Sequence, residues 1–144
     1  VLVEPGVAPV VYTLGYSGRT PADFVDLLRK IGVQRLVDVR AVPFSRKKGF
    51  SKRALAASLA ERGIEYVHLP SAGNPFRADK TEPALARYAK HLDAHPEVVA
   101  DAGKLVGDRV AALLCLESDA RMCHRSVLAQ RLADRGLVSS LVHL

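Results

Sequence analysis

With 144 residues, 49% of them apolar, the chain has the size and the material of a single domain with a packed core. Lys and Arg number 21 against 15 Asp and Glu, and the resulting net charge of +6, with a pI near 9.6, favours anionic partners: phosphate compounds and nucleic acid alike. No apolar run approaches a membrane span, no basic segment precedes the apolar start VLVEPGVAPVV, and two cysteines cannot build a disulfide scaffold, so a reduced, cytoplasmic protein without membrane contact is expected.

The first expected strand is VVYTLGY at 10–16. Thr20-Pro21-Ala22-Asp23 then reads as a helix start, with a capping hydroxyl, a proline at the first helical position and an acid three residues after the cap. Phe24, Leu27, Leu28 and Ile31 follow one helical face. Gly32 suits the left-handed position that ends a helix, and QRLVDVR at 34–40 suits a buried strand. Ser51 is expected to cap a second helix running to about Arg62, followed by Gly63 and the strand IEYVHLP at 64–70. Leu85, Tyr88, Ala89 and Leu92 mark a third helix, and residues 96–107 a fourth in which Gly103 is out of place. RVAALLCLE at 109–117, a helix through SVLAQRLADRG ending at Gly136, and LVSSLVHL complete the series.

Alternating strands and helices call for right-handed crossovers, so the fold class is α/β: a three-layer α/β/α sandwich around a mostly parallel sheet of about five strands, with residues 1–144 as one domain. In such sheets ligands bind outside the carboxyl ends of the strands. The polar residues expected there are Tyr16, Ser17, Asp38, Arg40, His68, Cys115 and Glu117. Asp38 and Arg40 read either as a structural ion pair or as an oriented anion-binding arginine, and His68 as a core histidine or a site residue. The run FSRKKGFSKR at 44–53 carries Arg46, Lys47, Lys48, Lys52 and Arg53 without an acid, which fits a solvated loop or a grip on phosphates.

The densest chemistry is CLESDARMCHR at 115–125. Cys115 and Arg121 have the spacing of a cysteine-dependent phosphatase loop, but Glu117 and Asp119 lie inside it. A like charge about 5 Å from a phosphate costs roughly 3 kcal/mol at an effective dielectric of 20, so an anion is expected instead at the helix start near Cys123, His124 and Arg125. There the free amides and Arg125 would hold it, and the helix end would lower the Cys123 thiol pKa. The Cys and His spacing matches no standard zinc signature, so no metal is expected, and the residues name no cofactor.

Taken together, Gly15-Tyr16-Ser17, LVDVR at 36–40, Pro43 and Ser45, Phe50, IEYVHLP with Gly73, Cys115-x-Glu117 and Cys123-His124-Arg125 resemble the domain of unknown function 488 family. The resemblance spans residues 12 to about 132, and it adds Ser45 to the candidate ligand-binding residues. After HLP the family commonly shows an apolar residue and paired glycines, where this chain has Ser71-Ala72-Gly73-Asn74-Pro75. A fainter similarity to rhodaneses rests on LVDVR and a cysteine ending a later strand.

The expected function is a polar cleft binding an anionic ligand, a nucleotide or nucleic-acid fragment, with Glu117 as acid or base, Cys123 as nucleophile and His68 or His124 as a second proton carrier. Tyr16, Ser17, Asp38, Arg40, Ser45, His68, Cys115 and Arg125 are the expected ligand-binding residues. Two alternatives stand beside it: a non-enzymatic nucleic-acid-binding module gripping through residues 44–53, and a cysteine-dependent sulfurtransferase or phosphatase. Enzymatic activity itself is left open by the sequence.

Overall fold

The computed structural model describes residues 9–75, 82–115 and 124–144. Its elements run β1 (Val10–Gly15), α1 (Pro21–Lys30), β2 (Arg35–Asp38), α2 (Lys52–Ala60), β3 (Glu65–His68), a 3₁₀ turn at Pro70–Ala72, α3 (Glu82–Ala94), α4 (Pro96–Gly107), β4 (Ala111–Cys115), α5 (His124–Asp134) and β5 (Ser140–His143). The five strands form one sheet in the order β3-β2-β4-β1-β5. Every pairing is parallel, so the carboxyl ends share one edge.

Strand alternation divides the core in two. Leu36, Leu14, Ala112 and Leu114 face one side, where α1 and α2 bring Phe24, Leu28, Leu55 and Leu59. Val11, Val37, Ala111 and Leu113 face the other, covered by α3, α4 and α5 through Tyr88, Leu92, Val99, Ala102, Leu128 and Leu132. Each fully buried leucine contributes about 1.5–3 kcal/mol relative to exposure. This is the expected sandwich.

The helix starts and stops have local causes. Thr20 Oγ1 accepts from the Asp23 amide at 3.1 Å, Pro21 occupies the first turn, and α1 ends before Gly32, whose φ is +84°. Ser51 precedes α2, but its hydroxyl does not cap the helix. It accepts from the Ser45 amide at 2.9 Å and donates to the Ser45 carbonyl at 3.2 Å, tying the preceding loop closed instead. Gly103 sits inside α4 because the helix packs against Leu137: an added Cβ would lie 2.8 Å from Leu137 Cδ1. The helix accepts glycine's entropic cost for that close approach.

Candidate functional site

The charge cluster at the end of β2 is built by alternation. Asp38 and Arg40 stand two residues apart and so share the α1–α2 face, where Tyr16 extends from β1 and Phe50 from the loop before α2. Arg40 Nε and Nη2 donate to the two carboxylate oxygens of Asp38 at 2.9 and 2.7 Å, a bidentate pair, and the Arg40 amide adds a third bond at 3.1 Å. Its Nη1 donates to the Phe50 carbonyl at 2.6 Å and to the Tyr16 hydroxyl at 3.4 Å. Tyr66 donates to Asp38 from β3. The Tyr16 ring stacks on Phe50 at 4.6 Å, and the guanidinium lies 5.4 Å from its centroid.

Asp38 is fully buried and Arg40 5% exposed, so the pair is insulated from water. Burial lowers the Arg40 pKa, but the hydrogen bonds and charge of Asp38 outweigh it and hold the guanidinium above its usual value. Burial, then the bond to Asp38 and its charge, push the Tyr66 phenol well up. All three guanidinium nitrogens of Arg40 are thus engaged within the fold, two by Asp38 and one by Phe50 and Tyr16.

The loop leaving β2 is fixed by two histidines and one glycine. His124 Nε2 meets the Val39 carbonyl and His68 Nε2 the Arg40 carbonyl, both at 2.8 Å, so consecutive carbonyls are engaged from α5 and from β3. The His124 ring also sits edge-on to Tyr88 at 5.2 Å, and Tyr88 in turn bonds the Ala72 carbonyl at 2.7 Å. At Gly73 an added Cβ would fall 2.4 Å from Ala41 Cα, so only glycine lets the loops after β2 and β3 touch. That is the local reason for a glycine in the stretch Ser71-Ala72-Gly73-Asn74.

The structure thus splits the expected site residues across the sheet edge. Tyr16, Asp38 and Arg40 gather on the α1–α2 face, whereas His124 packs on Tyr88 on the other face and Arg125 follows it in the first turn of α5. Main-chain carbonyls 39 and 40 join the two groups. Ser17 is exposed in the turn after β1; Ser45 holds the Lys47 amide at 3.0 Å and braces its own loop. Cys115 ends β4 beside Gly15 in register, but its side chain lies outside the described residues, as do Glu117, Asp119, Arg121 and Cys123 altogether. Among the described residues no three of His, Cys, Asp or Glu gather as a metal site.

Three residues at this edge, Tyr66, His143 and Arg19, were not singled out from the sequence, whereas Lys47 belongs to the basic run already named. Tyr66 was signalled by alternation, standing two before His68 on a strand paired with β2. His143 ends β5 as His68 ends β3, each within a V-H-L, and it bonds Thr13. Partial burial and the charge of Arg125 lower its imidazole pKa. Arg19 and Lys47 are half-buried: Arg19 Nε donates to the Gly15 carbonyl at 3.2 Å and Lys47 Nζ to the Tyr16 carbonyl at 3.3 Å. Among the described residues neither meets a carboxylate. Lys47 reaches the end of β1 from the loop after β2, past the position of β4 between them, so both cations bond consecutive carbonyls there, Gly15 and Tyr16.

A family model described as a domain of unknown function, DUF488, matches residues 20–132. No curated protein and no solved structure matches the chain.

Proposed function

We propose that this chain, which belongs to the domain of unknown function DUF488 family, binds an anionic ligand, a nucleotide or nucleic-acid fragment, at the carboxyl edge of its sheet. The observation that carries the reading is the pair of half-buried cations, Arg19 and Lys47, which among the described residues bond main-chain carbonyls at the end of β1 and meet no carboxylate, Lys47 lying also 5.4 Å from the centroid of the Phe50 ring. A cation bonded to a neutral carbonyl retains its full charge, and in partly dry surroundings that charge attracts a phosphate more strongly than a surface lysine does. Arg125, buried in the first turn of α5, adds positive potential where the helix amides begin.

In this reading Arg40 is a positioning residue: its donors hold Asp38, Tyr16 and Phe50, and through them the loop that carries Lys47. Tyr16, Ser17, Ser45 and His68 shape the ligand's surroundings, and Cys115 closes the end of β4. Acid–base chemistry falls to Glu117, with His68 or His124 as second proton carrier and Cys123 as the nucleophile of a covalent route. His68 suits the proton role because only its Nε2 is engaged among the described residues.

Thermal denaturation with pyrophosphate and nucleoside diphosphates at low salt tests the reading. A ligand at a hundred times its Kd should add about 2.7 kcal/mol. Lys47→Ala should remove most of that gain, while Glu117→Gln should keep it and abolish any turnover. Unchanged stability of the wild type with all of these anions would refute the reading.

A further inference from the structure

We infer that Phe44 is a stacking platform for an unpaired base, so that the edge takes a single-stranded nucleic acid whose phosphates lie on the basic loop. The inference rests on the anion-binding reading above and names its ligand class.

Phe44 is 68% exposed and Val42 52%, and only one other large apolar side chain among the described residues, Val142, is comparably open. A lone exposed apolar residue is ordinary. Here, however, the backbone is fixed on both sides of the ring. The Pro43 carbonyl accepts from the Lys52 amide at 2.9 Å, and the Ser45 amide donates to Ser51 Oγ at 2.9 Å, so Phe44 stands between the two bonds that close the base of the loop. Gly49, at φ +93°, lets the loop lie on α1, where an added Cβ would come within 2.5 Å of Pro21 Cγ. The ring is presented on a braced support, and so stacking on it would cost little ordering.

The charge around the ring selects the partner. From Val39 to Ala60 the chain has no Asp or Glu, and Arg46, Lys48, Lys52 and Arg53 are exposed within nine residues of Phe44 in the same stretch, with Lys47 turned inward to Tyr16. An aromatic ring set among cations is how sequence-tolerant proteins hold single strands: each base offers a face to stack, and each phosphate meets a cation. A duplex would hide the base faces from Phe44. An anionic membrane could also meet basic and apolar residues, but only two large apolar side chains, Val42 and Phe44, are exposed in this stretch, too few for a membrane-inserting apolar face.

Three probes and two variants test this: an oligothymidylate of about 12 nucleotides, an abasic strand with the same number of phosphates, and vesicles of phosphatidylserine and phosphatidylcholine. Phe44→Ala, an exposed change, should weaken oligothymidylate binding roughly 5- to 150-fold and leave abasic binding unchanged. The chain has no Trp, so Phe44→Trp supplies a single tryptophan that can be excited apart from the four tyrosines; this variant should bind the oligothymidylate at least as tightly, with its tryptophan quenched by it but not by the abasic strand. Equal binding of oligothymidylate by wild type and Phe44→Ala would overturn the stacking role and leave anion binding intact. Vesicle binding without oligonucleotide binding would overturn it in favour of a lipid surface. If nucleoside diphosphates stabilise the protein while neither strand binds, the single-strand inference alone fails; if no anion of any kind binds, both readings fall together.

Discussion

One strand end gives rise to two basic regions with opposite fates. Arg40 sits inside, its donors used by Asp38, Tyr16 and Phe50. Arg46, Lys48, Lys52 and Arg53, a few residues later, lie outside without an acid in their stretch of chain. A buried charge must be matched by its own fold, because desolvation is costly; an exposed one is left for whatever arrives. The first region should therefore govern stability and the second binding, and substitutions in each can break or sharpen that division.

The largest effect is expected at Asp38. Asp38→Ala removes the carboxylate that holds Arg40 and accepts from Tyr66, leaving a buried guanidinium uncompensated, and should cost about 3–5 kcal/mol in chemical denaturation. A loss below about 1 kcal/mol would mean that Arg40 finds solvent or another partner, and the division would blur. Gly73→Ala should come next, at about 1–3 kcal/mol, since its methyl must push the Ala41 backbone away.

Tyr66→Phe should cost about 1.5–3 kcal/mol, the range for a bond to a charged acceptor. It should also change the alkaline limb. The folded phenol titrates above its ordinary value of 10, so its contribution is full below pH 10 and is lost as pH rises beyond. The Phe variant should lose less stability there than the wild type, and parallel curves above pH 10 would contradict the assigned bond.

In the outer region, replacing the exposed Arg46, Lys48 and Lys52 with Ala should change stability by no more than about 0.5 kcal/mol per site. The same change should flatten the slope of log affinity against log salt for a single strand by about 2, at roughly 0.7 per phosphate contact. An unchanged slope would make the loop merely solvated. The smallest effect belongs to His143, whose pKa is lowered in the folded state. Its contribution is present above the ordinary His value of about 6.5 and is lost as pH falls below it, so His143→Gln should shallow the acid limb slightly.

Much of this architecture was legible in local signals. Thr20-Pro21 and the glycines at 32, 63 and 136, all with positive φ, mark helix ends through backbone constraints that act within a few residues. The parallel sheet followed from the helix-strand rhythm, and with it the shared edge that unites Tyr16, Arg40, His68 and Cys115. Ser51 was read as a cap because the sequence cannot show that Ser45 competes for its hydroxyl across a loop. Gly103 looked like a flaw in α4 because Leu137, which forbids a side chain there, belongs to another element. Tyr66, Arg19 and His143 escaped for the same reason: their meaning comes from partners 28, 4 and 130 positions away, and although alternation along β3 marks the face of Tyr66, it does not name Asp38 as its partner.

The most direct measurement is amide shift mapping by NMR during titration with a nucleoside diphosphate at low salt. Perturbations confined to the carboxyl edge, at Tyr16–Arg19, at Arg40–Phe50 and at His124–Arg125, are the expected result. Perturbations centred instead on Gln34, Asp108 and Arg109 at the opposite edge, or within 115–121 with the start of α5 unmoved, would contradict binding by Arg19, Lys47 and the α5 terminus.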